Sequence, residues 1–237
     1  MKKYIHREKN RGKVDMWWTK TAHSFSFWEY YNPDMMWFWK LRVLNDDTLP
    51  ASEWIGMHPH SNMEIVTIPL RGSIFHSDSM WNKTEIKTWE VQAMSAWTWI
   101  LHSEVNPSDT KEVELFQIWV ETRERNITPQ YNQKKFSQSE RVNSIQLLIS
   151  PDKNTNTVFV NQDTYFSRVE LIEDKIIEYK KYNPQNWVYF MIINWSAEIS
   201  WEKLFYRDAI WITDEDNIKI QNIWEPVDIL IIEVPMN

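Results

Sequence analysis

Short apolar or alternating runs, each the length of a β-strand and each closed off by turn residues, recur along this whole chain. They fall at 38–44, 63–70, 73–76, 85–87, 91–94 and 114–120, then again at 145–149, 157–160, 165–171, 188–193, 218–220 and 227–234. Side chains alternate across a strand but repeat every 3.6 residues around a helix, and no long stretch between these runs keeps the helical period. The pattern predicts an all-β protein, a sandwich or barrel, with little helix. Residues 122–135 are polar, contain Pro129 and lack an apolar face, so they read as a linker between two β units. That places one domain at 1–130 and a second at 131–237. Both halves are β-rich and similar in size, which suggests a duplicated barrel, although no strong internal repeat stands out.

The chain has 237 residues, 43% hydrophobic and 25% charged, a globular composition able to bury a core. The formal charge is −7 and no run of five or more Lys/Arg occurs, so a surface that tracks phosphates is not expected and nucleic acid is a poor direct partner. The first nine residues are charged and are not followed by an apolar segment, which argues against a secretory signal. The apolar runs are too short to span a bilayer as helices. A soluble, cytoplasmic protein without a membrane partner is the expectation. Cysteine is absent, so disulfides and thiolate metal ligands are ruled out.

Glycine occurs three times and tryptophan sixteen, whereas globular chains average roughly 7% glycine. Many tryptophans stand where a turn needs a small residue: Met80-Trp81-Asn82-Lys83, Lys87-Thr88-Trp89-Glu90, Ile193-Asn194-Trp195-Ser196 and Ile199-Ser200-Trp201-Glu202. Replacing Trp by Gly makes each a conventional turn, and Asn194-Trp195 then becomes an Asn-Gly hairpin signal. An aromatic-rich surface is the alternative, but an indole is costly wherever a turn requires positive φ. Some bacterial lineages read UGA as glycine and others as tryptophan, so translation with the wrong table would write Trp at glycine positions.

Histidine is scarce, and all six lie at or before position 102. Three of them, with one glutamate, form two short clusters: His58-Pro59-His60 and His102-Ser103-Glu104. Residues two apart on a strand share a face, so each cluster can send two donors into one interior. Pro59 is unfavourable within a paired strand, so a strand start or bulge at the barrel mouth is expected there. Three imidazoles and a carboxylate suit a borderline divalent metal, and four protein donors leave positions open for chemistry. For any single histidine a core residue bonded to backbone is the commoner case; two pairs of matching parity tip the balance toward a metal site. His6, His23 and His76 lack such pairing and read as structural. Glu64 has the parity of His58 and His60 if their strand continues, and reads as a carboxylate that orients an imidazole.

The stretches His58-Pro59-His60-Ser61-Asn62-Met63-Glu64, Asp78-Ser79-Met80-Trp81-Asn82, 94–107 and Phe116-Gln117-Ile118-Trp119 resemble the pirin family of the cupin superfamily. The segments 23–27 and 41–47 fit the same pattern. The likeness covers nearly the whole first half, and the second half fits as a degenerate cupin. The resemblance implies a bicupin in which only the N-terminal domain binds metal, usually Fe(II), with Mn, Ni, Cu or Zn as alternatives. It assigns His58, His60, His102 and Glu104 as ligands. Trp17, Trp28, Trp37, Trp39, Trp54, Trp81, Trp89, Trp97 and Trp99 stand where pirins commonly have glycine, whereas Trp18 and Trp119 fall where tryptophan is at home. Trp97 and Trp99 lie close enough to His102 to overfill the site.

Pirins resemble quercetin 2,3-dioxygenases, which open the central ring of a flavonol with O2 and release carbon monoxide. The resemblance gives Glu104 a catalytic role, as acceptor of the flavonol 3-hydroxyl proton. A planar phenol needs a mostly apolar slot, for which Phe25, Phe27, Phe38, Met57 and Met63 are candidate walls, with plain core the alternative for each. A different class of function is a metal-dependent regulator that docks on a protein partner, and another small-molecule cupin reaction is a third. A monomer is expected.

Overall fold

In the computed structural model, residues 3–96, 99–126, 128–172 and 174–236 are described. The chain is nearly all strand, with two 3-10 turns at Glu8–Asn10 and Gln138–Glu140 among the described residues. It forms two compact units, one of residues 12–136 with 158–162, the other of 1–11, 137–157 and 163–237. Each is a cupin jelly roll built from a larger and a four-stranded sheet, the larger having seven strands in the unit of residues 12–136 and six in the other. No described helix is long and apolar enough to cross a membrane.

The unit of residues 12–136 carries the histidine clusters. Its larger sheet orders the strands Gln130–Lys135, Glu90–Ala96, Met63–Arg71, Val113–Glu121, Leu41–Leu49, Thr19–His23 and Gly12–Met16. Its smaller sheet orders Trp54–His60, Ile100–Val105, Ser73–Asp78 and Lys83–Lys87. Alternation decides what enters the interior. On Ser73–Asp78 the buried residues are Ile74, His76 and Asp78; on Ile100–Val105 they are Ile100, His102 and Glu104. Leu49, Ile74, Ile86, Val113 and Leu115, with Ile55 against them, form one apolar cluster of this core.

The second unit fills its interior with aliphatic and a few aromatic side chains instead. Val169, Leu171, Val188, Phe190, Ile192, Ile210, Ile229 and Ile231 belong to one cluster of fully buried residues. At roughly 25 cal/mol per Å² of apolar surface removed from water, such a cluster supplies that unit's main cohesion.

The units differ from a division at 130–131 in three places. The first strand, Lys3–His6, pairs with Ala209–Ile212, Tyr4 stacks on Trp211 at 4.3 Å, and Arg7 bonds Asp208 at 2.7 Å. The segment read as a linker contains the strand Gln130–Lys135, paired in register with Glu90–Ala96. It is an edge strand with no fully buried residue, so it shows no apolar face. Residues 158–162 join the first unit, where the Asn161 amide donates to Glu64 and the Gln162 side chain to the Glu121 carbonyl.

The tryptophans divide by backbone. Trp28, Trp39, Trp81, Trp89, Trp195, Trp201 and Trp224 have φ between +51° and +74°, a region costly for any residue with a β-carbon and most of all for a bulky one. Trp17, Trp37 and Trp54 are exposed without positive φ, and Trp99 is exposed as well; Trp97 lies outside the described residues. Ser200-Trp201 forms a two-residue hairpin between Ala197–Ile199 and Glu202–Leu204, with both φ positive, 46° and 71°, as a type I′ turn requires. Asn194-Trp195 is not a hairpin. The strands on either side of it, Trp187–Asn194 and Ala197–Ile199, lie in different sheets, so it turns a corner.

Candidate metal centre

Two neighbouring strands of the smaller sheet present the predicted donors. Trp54–His60 is its edge strand, which is why Pro59, lacking an N–H, is accommodated within it. His102 stands opposite His58 and Ile100 opposite His60, and the pairing slips between His102 and Glu104, so that Glu104 faces Ile55. The bulge thus falls at Gly56-Met57 and not at Pro59. Bulges re-aim side chains, and this one brings His58 and His60 toward His102.

Ligand atoms of His58, His60 and His102 all lie within 4.8 Å of one another, and the Nε2 atoms of His60 and His102 are 2.9 Å apart. Nδ1 of His58 is 2.7 Å from the Gly56 carbonyl oxygen. Donation of its N–H there leaves Nε2 as the free lone pair, the arrangement that fixes metal-binding imidazoles. Burial, reinforced by neighbouring imidazoles, pushes His60 down to about 3 and His102 lower still. Both rings are therefore neutral at physiological pH, the form that binds metals.

Glu104 is buried against the opposite sheet, where Gln117 Nε2 donates to both carboxylate oxygens at 3.1 Å and Thr67 Oγ1 lies at 3.5 Å. Burial raises its carboxyl to about 7. Its ligand oxygen groups within 4.8 Å with His102 and His76, so the carboxylate adjoins the three-imidazole cluster through His102. The donor chemistry, neutral nitrogens converging beside a buried carboxylate, fits a divalent transition metal. Among the described residues, both candidate ligand clusters lie in this one unit.

A cavity of about 600 Å³ opens on the cluster, with His58, His60 and Glu104 in its wall. Trp18, Phe27, Trp28, Ile55 and Trp119 supply its apolar surface, and Thr21, Asn45, Asp47 and Gln117 polar points. Trp119 meets His60 edge-on at 4.6 Å. Of the five expected wall residues only Phe27 lines this cavity. Phe25 and Phe38 are buried in the core, Met63 packs against the Ile65 and Met94 cluster, and Met57 is 58% exposed. Trp99 is 60% exposed and does not crowd the site.

Three further expectations are corrected. Asn62, at φ +55°, ends the alignment of Glu64 with the histidine strand, and Glu64 instead bonds Ser95 Oγ and the Asn161 amide. His23 is a cavity-wall residue, bonded through Nδ1 to Asn45 at 2.7 Å. His76, read as structural, stands directly opposite Glu104 on the next strand, its Nδ1 3.4 Å from His102 Nδ1. The signal for it was present. His76-Ser77-Asp78 repeats the His-x-acid spacing of His102-Ser103-Glu104.

Fold and donor geometry together define a two-domain cupin with one candidate metal centre. The Pirin family matches residues 5–120, and the quercetinase C-terminal cupin domain family matches 147–234. The quercetin 2,3-dioxygenase of Escherichia coli strain K12 is 38% identical over 217 residues, 92% of each chain. A putative quercetin 2,3-dioxygenase of Pasteurella multocida is 32% identical over 93% of this chain and 94% of its own. The crystal structure of the bacterial pirin YhhW in complex with nickel(II), from Escherichia coli, superposes with a TM-score of 0.92 at 35% identity, covering 99% of both chains. The chain belongs to the pirin family.

Proposed function

We propose that the protein is a metal-dependent dioxygenase of the quercetin 2,3-dioxygenase type, with His58, His60, His102 and Glu104 as ligands and Glu104 as the catalytic base. The observation that carries this reading is the convergence of three imidazoles, two of which, His58 and His60, stand with Glu104 in the wall of an apolar cavity of about 600 Å³. Relatives named as quercetin 2,3-dioxygenases, and a nickel(II) complex of a pirin at 35% identity, support it. Fe(II) is the expected ion, with Mn, Ni, Cu or Zn able to compete for such donors.

A divalent ion bound there supplies Lewis acidity and, if redox-active, access to O2 chemistry. The chain's own residues do the rest. Trp18, Phe27 and Trp119 offer flat apolar surfaces for a planar phenol, and the Thr21 and Asn45 side of the cavity offers hydrogen bonds to ring hydroxyls. Glu104, held by Gln117, takes the 3-hydroxyl proton of the flavonol. The net reaction adds both oxygen atoms of O2 to the flavonol, opens its central ring and expels one ring carbon as CO.

Metal-free protein loaded in turn with Fe(II), Mn(II), Ni(II) or Cu(II), then assayed for flavonol loss and CO, tests the reading. Turnover with at least one metal, abolished in His102→Ala, is the expected result. Tight metal binding with no turnover under any metal would instead favour a non-enzymatic, metal-responsive regulator.

A further inference from the structure

The side chains behind His102 form a chain of hydrogen-bonding groups that the proposed reaction does not use. Asp78 is tethered on both carboxylate oxygens. Its Oδ1 accepts the amides of Met80 at 2.9 Å and Asn82 at 3.0 Å, and its Oδ2 accepts Asn82 Nδ2 at 2.8 Å. The same Oδ2 lies 3.0 Å from His76 Nε2. A carboxylate cannot donate, so His76 carries its proton on Nε2 and turns a bare Nδ1 lone pair toward Nδ1 of His102, 3.4 Å away. The ring of Tyr131, 5.1 Å from His76, packs against it.

The consequence is a tautomer imposed from outside the centre. With His76 Nδ1 as an acceptor, His102 keeps its proton on Nδ1, and the lone pair of its Nε2 points toward His60 Nε2, 2.9 Å distant. We infer that Asp78 and His76 are positioning residues that lock His102 in its metal-binding tautomer and orientation. They do for the middle ligand what the Gly56 carbonyl does for His58. Partners of this kind typically change metal affinity by 10- to 100-fold. The inference rests on the proposed centre, since it takes His102 as a ligand.

Asp78→Asn is the sharp test. The amide oxygen can keep the Met80 and Asn82 amides while the new NH2 faces His76 Nε2, reversing the tautomer of His76 and leaving His102 Nδ1 without an acceptor. His76→Leu removes the acceptor outright. His76→Gln restores both an acceptor and a donor. The probes are Ni(II) affinity by chelator competition and pulsed EPR of the Cu(II)-loaded protein, where the signal of the remote imidazole nitrogen responds to its hydrogen bond.

Expected are a roughly 10-fold or greater loss of Ni(II) affinity in Asp78→Asn and His76→Leu, recovery to within about 3-fold in His76→Gln, and an altered remote-nitrogen signal in Asp78→Asn. Unchanged affinity and spectrum in Asp78→Asn overturn the relay while leaving the centre intact. Two Ni(II) per wild-type chain and one in His76→Leu also overturn it, because His76 would then be a ligand of a second ion. Wild-type protein that binds no metal fails the centre itself and the relay with it. Should His76→Leu not fold, Asp78→Asn decides alone.

Discussion

A β-carbon at positive φ crowds the backbone, and seven tryptophans of this chain sit there at a cost of about 1–2 kcal/mol each. Trp81 is 88% exposed, so its indole recovers little by burial. Trp81→Gly, Trp89→Gly and Trp201→Gly should each raise stability by about 1 kcal/mol in thermal or urea unfolding, and the triple variant by roughly the sum if the three act independently. Equal stability of the two forms would end the reading of these positions as glycine. Intact mass from the native host, set beside the coding DNA, checks the codon directly. Trp28 is the left-handed tryptophan that also lines the cavity, so glycine there would widen the mouth of the site. Glu64 makes a second residue-scale prediction. Burial raises its carboxyl from 4.5 to about 7, so between those values the folded chain holds a proton the unfolded chain has released. Its contribution to stability therefore declines as pH rises from about 4.5 to 7, by on the order of 3 kcal/mol. Glu64→Gln, able to serve Ser95 and Asn161 without charge, should remove that decline; the check is urea midpoints at pH 5 and pH 8.

Strands carry the site because their two-residue period turns a His-x-His or His-x-acid spelling into side chains on one face. Trp54–His60, Ile100–Val105 and Ser73–Asp78 all use it. The opposite sheet contributes the groups that hold the carboxylate, Thr67 on Met63–Arg71 and Gln117 on Val113–Glu121. Gln117→Leu is expected to leave the fold intact and to weaken metal binding about tenfold, since it strips Glu104 of the donor that orients it. Metal titration of the purified variant would show it, and an unchanged affinity would mean that Glu104 is not a ligand. Among the strands themselves, 165–171 and 227–234 stand where the apolar pattern puts them. Gln130–Lys135 escapes that pattern because an edge strand without a buried face has no reason to alternate apolar with polar.

For the molecule as a whole, the two units share an architecture and differ in what fills them. Imidazoles enter the interior of one and apolar side chains, mostly aliphatic, fill the interior of the other, so one ion per chain is expected by elemental analysis. An ion that binds only the folded chain stabilises it by about 2.7 kcal/mol at a hundredfold excess over Kd. Added Ni(II) should accordingly raise the melting temperature of the wild type, and chelator should reverse the rise. His102→Ala should show neither response while folding normally.

Alternation and turn chemistry in the sequence were enough to specify an all-β chain, because strand period and turn preference are local properties. The scarcity and spacing of histidine marked His58, His60, His102 and Glu104 as candidate ligands. Pairing was decided only in three dimensions. The bulge at Gly56-Met57 that aims His58, the alignment of His76 with Glu104 across two strands, and the joining of Lys3–His6 to Ala209–Ile212 all depend on register between segments far apart in the chain. The same holds for the cavity, whose wall takes Trp18, Ile55 and Trp119 from three separate strands and loops. Periodicity says which face a residue is on; it does not say what that face meets, because long-range contacts form only when the chain closes its sheets.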